Sequence, residues 1–435
     1  MRPRVFVHGV GAITPLGASW PETCAALAEG RSAIGPVRAF DAAGFPCTVA
    51  AEALFVPRDG RDRRLALALP AAREAWAQAR AALSSMAVPA RAAGQPMAGA
   101  RVGAEPWALS RTGEDRGARG GGSRDLAGPV LGIFVGAESG RASMRTLLGL
   151  AAAAGPGSFD RDRFAREARE LAPALQPAEM SPAAVAAALA VELHAQGPVE
   201  TISLACASGS AAIAEASRAL RLGECDVALC GGVGADVDPF MLAGFGLLGA
   251  LSARGVSRPF DAHRDGFVLG EGAAFAVLSR EPGEVELAGE ARSLDAHHLT
   301  APAPDGGGAL RAMHAALLAA ELDRVDVVQA HGTSTQLNDA IEAAALRQAL
   351  PLDGAHVSSV KGALGHTVAA AGALGFLCAV EALRSGTVLP TAGLAEPDCA
   401  LPHVLGRAIR RDVRSALVNS FAFGGANCSL VLRRA

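Results

Sequence analysis

The 435-residue chain contains no tyrosine, one lysine and three asparagines, against 39 arginines. Lys, Asn and Tyr are spelled by A/T-rich codons, so this is the pattern a GC-rich genome leaves once those residues have been replaced wherever physics allowed. The survivors, Lys361, Asn338, Asn419 and Asn427, all lie in the last quarter. A surplus of charge is missing too. The formal net charge is −3, with Arg mixed among Asp and Glu, which leaves no basic footprint for nucleic acid or anionic lipid.

Eight cysteines, at 24, 47, 206, 225, 230, 378, 399 and 428, are too few for a disulfide scaffold. None has C-x-x-C spacing or a His at ligand distance, which excludes the common zinc motifs and leaves most of them as buried small hydrophobes. The longest apolar run, 368–380, ends at Glu381 and is too short to cross a bilayer, so it reads as a buried helix. Residues 1–17 lack the charged, apolar, then small pattern of a secretory leader, so a cytoplasmic location is expected. What is plentiful is core material: 50% hydrophobic residues against 19% charged excludes disorder as the main state.

Short apolar runs alternate with Ala- and Leu-rich stretches of helical spacing. Strands are expected at 5–10, 129–136, 199–204, 226–232 and 273–279, with helices at 21–29, 65–83 and 181–195. A second series has strands at 285–288, 326–330, 356–360 and 415–419, with helices at 308–320, 340–349 and 367–385. This alternation indicates an α/β fold whose sheets are covered by helices on both faces. Segments 201–214 and 357–370 share one plan: a strand, a Gly/Ser turn and an Ala-rich helix with one reactive side chain at its start. They suggest an internal duplication, with halves 1–280 and 281–435, in which Cys206 and His366 meet at a pseudo-twofold axis. Segment 88–127, crowded with Gly, Ala, Arg and Pro, reads as a flexible insertion.

Four constellations carry chemistry. Cys206 lies where an apolar strand, read as buried, gives way to a helix; backbone N–H groups and the helix dipole there favour a thiolate and lower a thiol pKa from about 8.5. His331-Gly-Thr-Ser-Thr ends another strand, with Asp339 and Glu342 three apart on one helical face, placed to orient a His or pair with a cation. Ser358-Ser-Val-Lys-Gly-Ala-Leu-Gly-His366 holds the single Lys, a compact donor with an adjustable pKa where Arg would be a permanently charged fork. Asn419-Ser-Phe-Ala-Phe-Gly-Gly-Ala-Asn427 is a Gly-rich turn between strands, and N–H groups exposed at Gly424 and Gly425 suit an oxyanion as well as a phosphate.

In this order, and with Arg258-Pro-Phe-Asp-Ala-His-Arg-Asp-Gly-Phe-Val-Leu-Gly-Glu-Gly and Asp295-Ala-His-His-Leu-Thr-Ala-Pro, the motifs resemble the elongating β-ketoacyl-acyl carrier protein synthases of the thiolase superfamily. The resemblance runs from Val5 to Leu432 apart from 88–127. It implies a thiolase-like fold: two duplicated α/β halves in a layered α-β-α-β-α architecture. The implied reaction is a decarboxylative Claisen condensation of an acyl group on Cys206 with malonyl-acyl carrier protein, in fatty-acid or polyketide elongation. His331 and His366 would hold the malonyl thioester oxygen as the enolate forms, and the N–H groups of Cys206 and Phe423 the acyl oxyanion. Lys361 would orient the His pair, with Asp339 or Glu342 as its anionic partner and Asn427 in support. Thr300, Thr333 and Thr335 would line the phosphopantetheine tunnel and Phe245 the acyl pocket, while Phe423 with Gly424 gates access. The resemblance implies no metal and no cofactor beyond carrier-bound phosphopantetheine. It implies a dimer paired through strand 199–204, either a homodimer or a heterodimer with a Cys-less ketosynthase-like subunit.

Three departures from the family pattern stand out: Ala422 where Gly is usual, Gly375 where an acid is common, and a short junction at 281–286. The alternatives are a thiolase-type acyltransferase, which wants a second Cys in a context Cys428 does not have, and a non-elongating scaffold or chain-length subunit, which would have lost the nucleophile.

Overall fold

The computed structural model describes residues 2–58, 62–84, 129–142, 144–155, 159–175 and 177–435; the expected insertion 88–127 lies outside them. Ten strands build the core: β1 (Phe6–Ile13), β2 (Leu131–Ala137), β3 (Val199–Ile202), β4 (Val227–Ala235), β5 (Glu271–Ser279), β6 (Val285–Leu294), β7 (Val327–Gln329), β8 (His356–Ser358), β9 (Ser415–Phe421) and β10 (Ala426–Arg434). Their spatial order is β8-β7-β9-β10-β6-β1-β5-β4-β2-β3. In the first five strands the third, second and fourth run parallel, and the fifth and first are antiparallel additions. The last five repeat that order and those directions. The two sets join edge to edge at the pair Phe6↔Glu286.

The helices are α1 (Trp20–Ala28), α2 (Arg63–Ser84), α3 (Met144–Ala154), α4 (Arg161–Leu171), α5 (Ala184–Glu192), α6 (Ser208–Leu222), α7 (Pro239–Leu247), α8 (Gly307–Ala320), α9 (Gln336–Ala349) and α10 (Ala371–Ser385). α2 and α5 cover one outer face, α8 and α9 the other, and α6 and α10 lie between the two sets of strands and touch both. The result is the five-layer α-β-α-β-α arrangement. Segment Val368–Ser385 is apolar and long enough to span a membrane by length alone, yet it is 72% buried inside the protein.

Small residues make this layering possible. A Cβ on Gly9 or Gly11 of β1 would sit 2.1 Å from the Ala75 carbonyl or 2.3 Å from that of Ala71 on α2. The central helices meet still more tightly, because a Cβ on Gly372 would fall 2.3 Å from Ser210 Oγ and 2.6 Å from Ser420 Oγ. Much of the Ala and Gly content is therefore packing demand as well as codon drift.

Three helices escape the reading of the sequence. α4 buries no residue, so no apolar stripe marks it, while Asp160 caps its N-terminus by accepting from the Asp162 and Arg163 amides. α7 opens on Asp238, whose side chain accepts from Met241 N–H, and it shows no one-sided apolar pattern. α3 was not anticipated either. Strand β3 departs from expectation in another way: it is the sheet's edge, with Val199 40% exposed, rather than a buried strand.

Gly372→Ala is expected to destabilise the protein by about 1–3 kcal/mol through overpacking. Gly244→Ala on α7, where an added Cβ meets nothing within 4 Å, should be neutral or slightly stabilising. Thermal melts of the two variants beside the parent check the contrast.

Candidate active site

Two strand-to-helix junctions, one from each half, deliver the central groups. β3 ends at Ile202, and a 3₁₀ turn at Ala205–Ala207 carries Cys206 into the first turn of α6. Ala205 has φ +46°, a conformation that costs a non-glycine residue about 1–3 kcal/mol and is held only where surroundings insist. In the other half the chain leaves β8 through the short helix Lys361–Leu364 and reaches His366, with Val368 at φ +45°. His331 follows β7 directly. The reactive atoms of Cys206, His331 and His366 lie within 4.8 Å of one another, and the three residues are 7%, 2% and 1% exposed.

They form the buried end of a cavity of about 320 Å³. Thr300, Thr333, Thr335, Phe245, Phe423 and Asn427 all line it, as the sequence led us to expect. Leu248 and Leu337, 54% and 61% exposed, stand at its open side. Rings run in continuous contact from Phe423 through Phe245 and Phe267 to His366 and His331, each centroid 5.0–6.1 Å from the next.

The histidines are set as donors. Val368 N–H donates to His366 Nδ1 at 3.1 Å, so in the neutral ring the proton sits on Nε2. Lys361 Nζ lies 3.5 Å from His331 Nδ1 and also donates to the His331 carbonyl, which fixes the same tautomer there. Burial pushes both His pKa values well below 6.5, and the Lys361 charge pushes the same way. Each neutral ring therefore carries its proton on Nε2, and one nitrogen of each lies within 4.8 Å of the other ring's and of Cys206 Sγ. A metal would need the opposite polarity, with each Nδ1–H donating outward and each Nε2 offering a lone pair. The Cys/His/His cluster is built for an oxygen bearing negative charge.

The acidic pair works on the backbone. Glu342 accepts from the amides of His331 and Gly332, both at 2.8 Å, and Asp339 accepts from Phe260, Thr333 and Ser334 at 2.8–3.0 Å. The pair thus clamps the 331–335 loop, including Ser334 at φ +70°. Toward Lys361 both carboxylates act through charge, Glu342 more than Asp339, with no ion-pair contact among the described residues. Burial lowers the Lys361 pKa and raises that of Glu342.

Two further expectations are corrected. The helix N-terminus does not leave Cys206 with a low pKa. Burial pushes the thiol up to about 12, against the opposing pull of Lys361 and of the Phe423 N–H directed at the sulfur. Gly424 offers no N–H to an oxyanion, because that group donates to the Leu299 carbonyl at 2.7 Å. Gly424 and Gly425 instead supply φ +86° and +76° for the turn that aims the Phe423 amide. Asn427 supports this turn, donating to Asp295 at 2.7 Å and to the Gly425 carbonyl. The residue that sequence reasoning missed is Glu138, just past β2, which bonds the turn carrying Cys206.

Residues 107–283 match the family model of the β-ketoacyl synthase N-terminal domain, and residues 285–395 that of its C-terminal domain. The chain belongs to the β-ketoacyl synthase family. As a β-ketoacyl synthase it is a condensing acyltransferase of fatty-acid or polyketide chain elongation. It is 32% identical to 3-oxoacyl-(acyl-carrier-protein) synthase 2 of Synechocystis, over 100% of this chain and 98% of that one. Among solved structures it is similar to the ishigamide ketosynthase/chain length factor, with a TM-score of 0.77, 30% identity and both chains fully covered. A β-ketoacyl synthase from Burkholderia phymatum gives a TM-score of 0.74 at 28% identity, again over the full length of both.

The depressed His pKa values carry a linkage. Below the unfolded value of about 6.5 the unfolded chain takes up protons that the folded one refuses, so stability is lost as pH falls. Relative to His366→Asn, the parent synthase should lose up to about 1.4 kcal/mol per pH unit between pH 6.5 and 5. Taking the difference in denaturant melts cancels Glu342, whose raised pKa slopes the other way.

Proposed function

We propose that Cys206 accepts an acyl group from the phosphopantetheine thioester of an acyl carrier protein. His331 and His366 then bind a malonyl thioester on the same kind of carrier and promote its decarboxylation. The observation behind this reading is the convergence of one thiol and two N–H donors within 4.8 Å at the buried end of the cavity.

In loading, Cys206 Sγ attacks the thioester carbon and the bond to pantetheine sulfur breaks. The thiol proton leaves on the pantetheine sulfur. The transient oxyanion lies against the N–H groups of Cys206 and Phe423. In condensation the malonyl carboxylate departs as CO₂ and its bonding pair becomes an enolate. Two Nε2–H donors in a water-poor site lower this barrier because they hold the charged enolate oxygen better than the neutral carbonyl. The enolate carbon attacks acyl-Cys206, the Cys206 thiolate leaves and takes up one proton from solvent, and the β-ketoacyl product remains on the carrier. Electron pairs move only among the thiol, the two thioesters and the carboxylate, so the steps balance without a redox cofactor.

Lys361 keeps the His pair neutral and correctly protonated, and Asp339 and Glu342 hold the loop that presents His331. Thr300, Thr333 and Thr335 face the pantetheine arm, Phe245 the acyl chain, and Phe423 with Gly424 gates the two. The acyl carrier partner is supported by the name of the Synechocystis relative. Among the described residues the outer edge of strand β3 is unpaired, with Val199 on it and Leu204 just beyond it exposed, and we assign the dimer contact to it. The partner is a second copy or a Cys-less ketosynthase-like subunit; the ketosynthase/chain length factor pair among the similar structures supports a two-subunit assembly. Identical strand order in the two sets supports the halves 1–280 and 281–435, and a cytoplasmic place of work fits this chemistry.

Transfer of radiolabelled acyl groups tests the reading. Cys206→Ala should abolish loading, and a parent protein that loads no better would end the proposal. His331→Ala should still load but release CO₂ from malonyl carrier protein about 10²–10³ times more slowly.

A further inference from the structure

We propose that Glu138 is a positioning residue for Cys206: its carboxylate ties together the turn that carries the nucleophile and places a fixed negative charge one residue away. Glu138 follows β2, which pairs in parallel with β3 at Gly136↔Ile202, so the two strand ends open side by side. Oε1 accepts from the Ala205 amide at 2.9 Å, and Oε2 accepts from Ser203 Oγ at 2.7 Å. Ser208 Oγ lies 3.0 Å from Oε1 and 2.7 Å from the Ala205 carbonyl, sharing one proton between them, while it accepts from Leu204 N–H.

One side chain thus fastens the exit from β3, the positive-φ Ala205 and the start of α6. The turn itself holds the Ala205 carbonyl through Ser208, and the bond from the Ala205 amide to Glu138 fastens the φ +46° conformation from outside the turn. The arrangement depends on chain topology, since Glu138 and Ala205 are 67 residues apart.

The charge faces a defined set. Cys206 is surrounded by Lys361, whose charge favours the thiolate, by the neutral rings of His331 and His366, and by Glu138 and Asp236, which oppose ionisation. Asp236 is paired with Arg141 at 2.7 Å, whereas among the described residues the Glu138 carboxylate meets hydroxyl and amide donors at the turn. Burial is the main reason the thiol stays protonated, and the Glu138 charge adds to it.

This proposal rests on Cys206 as the nucleophile, and its test separates the two. The rate of Cys206 alkylation by iodoacetamide, followed from pH 6 to 10 by peptide mass spectrometry, needs no ketosynthase activity. Glu138→Gln keeps an acceptor for Ala205 but removes the charge, and should raise the alkylation rate about threefold or more across this pH range, the effect of a thiol pKa lowered by about 0.5 unit. An unchanged profile overturns the charge role. Glu138→Ala should lower acyl loading at least tenfold, with Glu138→Gln recovering most of that loss. Equal loading by the two variants overturns the positioning role. If the parent loads nothing, the ketosynthase reading of Cys206 fails while the alkylation profile still decides the role of Glu138.

Discussion

Everything at the site depends on how closely α6 and α10 approach. The turns that lead into these two helices bring Cys206 and His366, 160 residues apart in sequence, within 4.8 Å of each other. Gly372 and Ser210 meet where a larger pair would clash, and Ser210 Oγ closes the gap with a 2.8 Å contact to Ser420 Oγ on β9. β9 in turn leads into the turn whose Phe423 amide faces the Cys206 sulfur. One steric constraint at the centre sets Cys206, His366 and the Phe423 turn together.

Electrostatics then selects what this geometry can bind. A buried lysine beside two buried imidazoles is costly, because each charge loses its water. The system settles by keeping one charge on Lys361 and none on the rings. Neutral rings with occupied Nδ1 positions leave two N–H donors and no lone pair for a metal or a proton. Cys206 obeys the same logic: burial disfavours its thiolate, so the proposed chemistry must draw on N–H groups that stabilise charge as it forms rather than on a thiolate held in advance.

Much of this was legible in the sequence, and the failures are instructive. Cys206, His331, Lys361, His366 and Phe423 could be read because each ends a strand or opens a helix, where side chains and backbone donors face a common rim. The thiol pKa could not, because a helix N-terminus is a local feature and burial is a tertiary one, and burial is the larger effect here. Glu138 was invisible because only the parallel pairing of β2 with β3 brings it to the nucleophile. Gly424 was misread for a similar reason: a Gly-rich turn promises free N–H groups, but Leu299 from a distant loop takes that one.

The lone lysine can now be explained rather than merely noted. Position 361 sees one carbonyl, one imidazole nitrogen and a carboxylate already saturated by amides, and it is 6% exposed. A guanidinium brings five N–H donors in a planar fork and cannot shed its charge; most of those donors would be buried without acceptors. An ammonium needs only three partners and tolerates a lowered pKa. Substitution by Arg, which a GC-rich genome has accepted nearly everywhere else in this chain, is barred here by a count of hydrogen-bond acceptors, and the same count keeps His331 in the tautomer that donates to substrate.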